Sequence, residues 1–84
     1  MAVYFIEYDL RKSKDYSSLI KAIESLGGVR HLKSAWSIKH SNTTCELLAK
    51  HLHQYIDADD GLIVSQVLDW AHYKLEASPH NPKA

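Results

Sequence analysis

Ala2, Val3, Tyr4, Phe5, Ile6, Glu7 and Tyr8 follow one another as a β-branched and aromatic run that ends at Asp9. Both faces of this run are apolar, which suits a strand at the centre of a sheet, paired on either side and covered above and below. A helix is expected next. The polar stretch 9–15 closes on Asp15, a capping residue, and beyond it Tyr16, Leu19, Ile20, Ile23 and Leu26 recur at spacings of three and four. Gly27 and Gly28 end that stripe, because glycine takes the left-handed conformation of a helix C-terminus without a Cβ penalty.

Outward from there, Val29 and His31 alternate with polar neighbours, as do Trp36 and Ile38, and the phase slips around Lys33, Ser34 and Ala35. That slip predicts two short strands joined by a tight turn or bulge. Thr43, Thr44, Cys45 and Glu46 fit a capping box in which Thr43 and Glu46 cap each other's amides. The helix it opens would bury Cys45, Leu48, Ala49, Leu52, Tyr55 and Ile56. A turn at 57–61 then leads to a last main strand at Leu62, Ile63 and Val64. Residues 66–75 read either as its continuation or as a further C-terminal strand. The polar stretch 77–84 holds both prolines of the chain and reads as a flexible tail to a single domain at 1–76. Strand, helix, hairpin, helix, strand, joined by right-handed crossovers, give an α+β ferredoxin-like β-α-β-β-α-β sandwich with an antiparallel sheet and both helices on one face. This architecture hosts many unrelated functions.

The 84 residues carry ten Lys and Arg against ten Asp and Glu, a formal charge of zero. No global field draws in a polyanion, so any nucleic-acid contact must be local. A body this small hides little surface, which points to a partner, and without net repulsion it tends to self-associate near pH 7. The lone Cys45 fits a reducing, cytoplasmic setting. The apolar run at 2–8 is far short of the roughly 20 residues of a membrane span.

The candidate catalytic residue is Asp9, a carboxylate where the chain leaves the central strand. There it would offer hard oxygen to a divalent cation such as Mg2+, and a twofold dimer would bring a second copy to the same ion. Its bland alternative is a turn residue paired with Arg11 or Lys12. Arg11, Lys12 and Lys14, together with Arg30 and Lys33 of the hairpin, form a modest basic edge for nucleic acid, or else an ordinary solvated surface. Asp57, Asp59 and Asp60 lack the spacing and closing glutamate of a calcium loop and read as a solvated turn. The six histidines show no zinc-site spacing, His51 and His53 lying two apart on a helix. Trp36 and Trp70, assigned to strands, read as core or interface anchors.

The stretches Tyr4 to Leu10, Asp15 to Gly27, Leu32 to Ile38 and Ile56 to Val64, taken in order and spacing, resemble the small CRISPR-associated Cas-two proteins and their stand-alone SinR-like relatives, the latter more closely. The resemblance implies a ferredoxin-like homodimer, often with a C-terminal strand reaching to the partner. In nuclease members it implies a metal held between two copies of the strand-one aspartate, which Asp9 matches. The chain departs from the CRISPR proteins at Ser17, Ser18 and Leu19, where they carry an arginine-bearing segment. A dimeric, nucleic-acid-associated protein with metal-dependent nuclease activity is the expectation. A non-catalytic dimeric interaction module is the alternative, and a small-ligand sensor with an interfacial pocket is a third reading.

Overall fold

The computed structural model describes residues 1–12 and 15–82. Six elements follow in the order expected: β1 (Ala2–Asp9), α1 (Ser17–Ser25), β2 (Val29–Leu32), β3 (Ala35–His40), α2 (Cys45–His53) and β4 (Gly61–Val67). They form a four-stranded sheet in the order β2-β3-β1-β4, with every neighbouring pair antiparallel. β1 is therefore interior, as its two apolar faces require. Tyr4 lies opposite Ile38 on β3 and Gln66 on β4, a register that sets Asp9 against Gly61.

Alternation along β1 divides the molecule in two. Tyr4, Ile6 and Tyr8 face the helices and join Trp36, Ile38, Leu19, Ile23, Leu48 and Leu52 in the main core. Ile6, Leu19, Ile23, Ile38 and Leu52 are fully enclosed, and burial of such side chains contributes about 1.5–3 kcal/mol each. Trp36 satisfies its indole by donating from Nε1 to the Tyr8 hydroxyl at 3.0 Å. The tight turn expected around Lys33, Ser34 and Ala35 joins β2 to β3 at 33–34, and a register shift falls just before it, between Arg30 and Leu32.

The helix ends follow from local chemistry. Asp15 Oδ1 accepts from the Ser17 amide at 2.9 Å, and these bonds to Ser17 hold the Asp15 carboxyl below its ordinary value. At the other end the Gly27 and Gly28 amides donate back to the carbonyls of Glu24 and Ile23, with Gly27 at φ 79°. Gly28 must be glycine for a different reason: a Cβ there would lie 2.7 Å from Ile23 Cγ2 and 2.8 Å from the Ile23 carbonyl oxygen. At α2 the cap lies one residue later than the capping box placed it. Thr44, in extended conformation, accepts from the Leu47 amide at 3.1 Å, while Glu46 lies in the first turn.

β4 ends at Val67, and the described chain beyond it crosses the sheet face turned away from the helices. The Glu76 amide donates to the His31 carbonyl at 3.0 Å. The His80 amide donates to Ser37 Oγ at 2.9 Å, and Trp70 Nε1 donates to the His80 carbonyl at 3.0 Å. Pro79 is buried, and beneath this segment Ser37 is fully enclosed. Trp70 accordingly lies outside any strand. No helix among the described residues is long and apolar enough to cross a membrane.

Candidate functional site

β1 delivers Asp9 to one end of the sheet, where three loops meet. The first is 9–12, leaving β1. The second is 57–61, entering β4 opposite Asp9. The third is the β2–β3 turn, held beside β1 by a bond from the Tyr8 amide to the Ser34 carbonyl at 3.1 Å. The Asp9 side chain is 73% exposed and borders a shallow hollow of about 300 Å3 that it shares with Glu7, Gly61 and Ile63.

Arg11 organises this end. Its Nε lies 3.2 Å from Asp9 Oδ2, and its Nη1 donates to the Asp59 carbonyl at 2.7 Å. Lys12 Nζ lies 3.5 Å from Asp59 Oδ2. Asp9 thus makes the arginine pairing of its bland alternative, and both partners of that pair are more than half exposed. Pairs so open to water contribute about 0–1 kcal/mol, so this one can be exchanged for another ligand at little cost.

The 57–60 turn is more than a solvated loop. Asp60 Oδ1 accepts from the Arg11 amide at 2.8 Å, its Oδ2 accepts from the Asp57 amide at 2.8 Å, and the Tyr16 hydroxyl donates to it at 2.8 Å. Burial and the Asp60 carboxylate together push the Tyr16 hydroxyl up to about 12, so it stays protonated and keeps donating. One carboxylate therefore ties the start of α1 to both loops at the Asp9 end. Sequence reading placed Tyr16 in the helix stripe and missed this role, which an aspartate closing a tight turn three residues after another could have suggested.

The basic edge is only partly assembled. Arg11 and Lys12 lie at the Asp9 end, interleaved with carboxylates. Arg30 is turned onto its own hairpin: Nε and Nη2 donate to the Lys33 carbonyl at 3.0 and 2.6 Å, and the guanidinium lies 5.3 Å from the Trp36 ring centre. Lys33 is exposed at the turn. Lys14 lies outside the described residues.

The metal expected at Asp9 can be tested against this donor set. Among the described residues no group of three or more His, Cys, Asp or Glu could hold a metal ion. At Asp9 one chain offers an exposed carboxylate already facing a guanidinium, which is at most half a site. The residues fit a divalent cation only where a second copy supplies the other half.

A four-stranded antiparallel sheet in the order β2-β3-β1-β4, two helices on one face and a carboxylate at the end of the central strand define a small α+β protein of the ferredoxin-like class. Within that class, residues 1–74 match the family model described as CRISPR associated protein Cas2, and the chain belongs to that family. No solved structure matches the chain.

Proposed function

We propose that this Cas2-family protein acts as a homodimer on nucleic acid, with the two Asp9 carboxylates meeting across the twofold axis to hold Mg2+ for phosphodiester cleavage. The observation that carries this reading is the placement of Asp9: the last residue of the central strand, exposed, beside a hollow and next to a cation bound only loosely. The metal, once bound, would supply an activated water and neutralise charge on the phosphate. The chain's own residues do the rest. Arg11 and Lys12 lie beside Asp9 and can exchange their exposed carboxylate partners for phosphate oxygens. Asp60 keeps the Arg11 backbone in place while that side chain moves. Lys33, exposed at the neighbouring turn, would extend the contact along the backbone of the strand.

A second reading, a non-catalytic dimeric interaction module, draws on the same Arg11–Asp9 pair, taken as a structural contact, and on the exposed apolar side chains Ile63 and Leu68. Light scattering and incubation with single- and double-stranded RNA and DNA in Mg2+ separate the two. The nuclease reading expects a dimer whose cleavage falls roughly 100-fold or more in Asp9→Ala, with folding unchanged. A monomer, or cleavage indifferent to that substitution, overturns it. A stable dimer that cleaves nothing leaves the interaction module.

A further inference from the structure

The turn before β4 carries two adjacent aspartates that hold the neighbouring cations in different ways. Asp60 is half-buried and acts on backbone. Its Oδ1 accepts from the Arg11 amide at 2.8 Å, and the Tyr16 hydroxyl that donates to its Oδ2 at 2.8 Å also accepts from the Lys12 amide. The amides of two consecutive basic residues are thus fixed by one tyrosine–aspartate pair. Asp59 is exposed and acts on side chains. Its carbonyl accepts from Arg11 Nη1 at 2.7 Å, and its Oδ2 lies 3.5 Å from Lys12 Nζ. Both cationic heads therefore converge on one residue.

Each way of holding has its own physical consequence. A cation carried on unordered backbone must give up that freedom when it grips a ligand, and fixing the amides beforehand removes the loss. Asp60 suits that task because its oxygens are met by neutral donors, the Arg11 and Asp57 amides and the Tyr16 hydroxyl. From this fixed backbone the Arg11 side chain extends over Gly61, where a Cβ would lie 3.2 Å from Nη2 and 3.6 Å from Asp9 Cβ. Bare backbone therefore seats the guanidinium beside the strand-end carboxylate. Asp59, by contrast, offers oxygens to heads that are more than half exposed, and such pairs exchange readily. A phosphate offers several charged oxygens in one compact group, and so matches what the two heads already hold.

We propose that Arg11 and Lys12 form a seat for one backbone phosphate of nucleic acid, that Tyr16 and Asp60 are the positioning residues of this seat, and that Asp59 fills it until a phosphate takes its place. The proposal rests on the reading of the Asp9 end as a nucleic-acid contact, and it does not depend on cleavage there. Its consequence separates it from charge alone. Removing a negative charge at either aspartate should, by simple electrostatics, tighten the binding of a polyanion. The seat requires opposite signs. Loss of the Asp59 carboxylate frees Lys12 for the phosphate, whereas loss of the Asp60 carboxylate releases the backbone from which both cations act.

The test measures binding of the full chain to a fluorescent single-stranded RNA and a fluorescent DNA duplex by anisotropy, in EDTA so that cleavage does not enter. Asp59→Asn is expected to tighten binding about threefold, and Asp60→Asn to weaken it about tenfold. Tyr16→Phe changes no charge and keeps its ring in the helix stripe, and is expected to weaken binding about threefold. That loss should largely vanish in a Lys12→Ala background, since the tyrosine acts through Lys12 and its neighbour. Opposite signs at the two aspartates support the seat, whether or not Mg2+ brings cleavage. The same sign at both overturns it, as does a Tyr16→Phe loss of equal size with and without Lys12. Should Asp60→Asn fail to fold by its urea midpoint, Asp59→Asn and Tyr16→Phe decide the matter, and unchanged binding in both overturns the proposal. A wild type that binds neither the RNA nor the duplex overturns the nucleic-acid reading itself, and the seat with it.

Discussion

The two faces of the sheet are built from the same strands, residue by residue in alternation, yet they are covered by different means. On one face, α1 and α2 lay down apolar stripes that meet Tyr4, Ile6, Trp36 and Ile38 in a continuous core. On the other, residues 68–82 lie across the strands without regular structure, held by single bonds at Ser37, His31 and the Trp70 indole. The first face draws its stability from area, spread over many side chains. The second rests on a few specific contacts, and between them it leaves room for a cavity and for a His31 Nδ1 that meets no hydrogen-bond partner among the described residues. The two sides of one sheet are therefore held down by different physical means.

The largest effect that would sharpen this contrast is expected on the helix face. Leu52 is fully enclosed between α2 and the sheet, and Leu52→Ala is expected to cost about 2–5 kcal/mol, read from the urea midpoint at constant slope. A cost below 1 kcal/mol would mean that the helix layer is looser than its packing indicates. On the other face, Ser37→Ala removes the acceptor of the His80 amide and is expected to cost about 1–2 kcal/mol. Hydrogen exchange should separate the two variants, since Ser37→Ala should speed exchange at His80 and Glu76 while leaving α2 protected. Equal acceleration in both regions would break the comparison.

The smallest effect is a pH dependence at His31. Burial lowers its value below the usual 6.5, so as the pH falls the unfolded chain takes up this proton first. Stability from this residue is then full above about pH 6.5, declines as the pH falls below that, and levels off once the folded ring is itself protonated. His31→Phe keeps a ring against Phe5 and should remove this component from a series of urea midpoints between pH 7.5 and 5.5. An unchanged slope would show that the imidazole is not held neutral.

What sequence alone could reveal follows the same division. β1, both helices and the hairpin slip were legible because each writes a local period or a glycine stop into consecutive residues. The cap of α2 was misplaced by one because Thr43 and Thr44 are chemically alike, and only the backbone decides which of them faces the first turn. Asp60 was read as part of a solvated turn because its partners Arg11 and Tyr16 lie 49 and 44 positions away, and contacts of that span leave no periodic trace. Trp70 was assigned to a strand from its flanking residues, whereas β4 ends at Val67 and the indole is oriented by His80. His31 was legible only as one of the alternating positions of a strand, because its burial depends on the segment that crosses that face about forty residues later. The candidate site was legible in part: Asp9 and Arg11 were named together, while the Asp60 knot beneath them was not.

Arg11 is held in two ways that respond differently to ionic strength. Its guanidinium reaches Asp9 and Asp59 across open water, where an added electrolyte weakens such attraction within a Debye length of about 8–10 Å. Its backbone amide is fastened to Asp60, a carboxylate also engaged by the half-buried Tyr16 hydroxyl and therefore screened less. Rising salt thus frees the arm before it loosens the loop on which the arm stands. The same residue can be a mobile cation in a crowded ionic medium and a fixed point of the fold throughout.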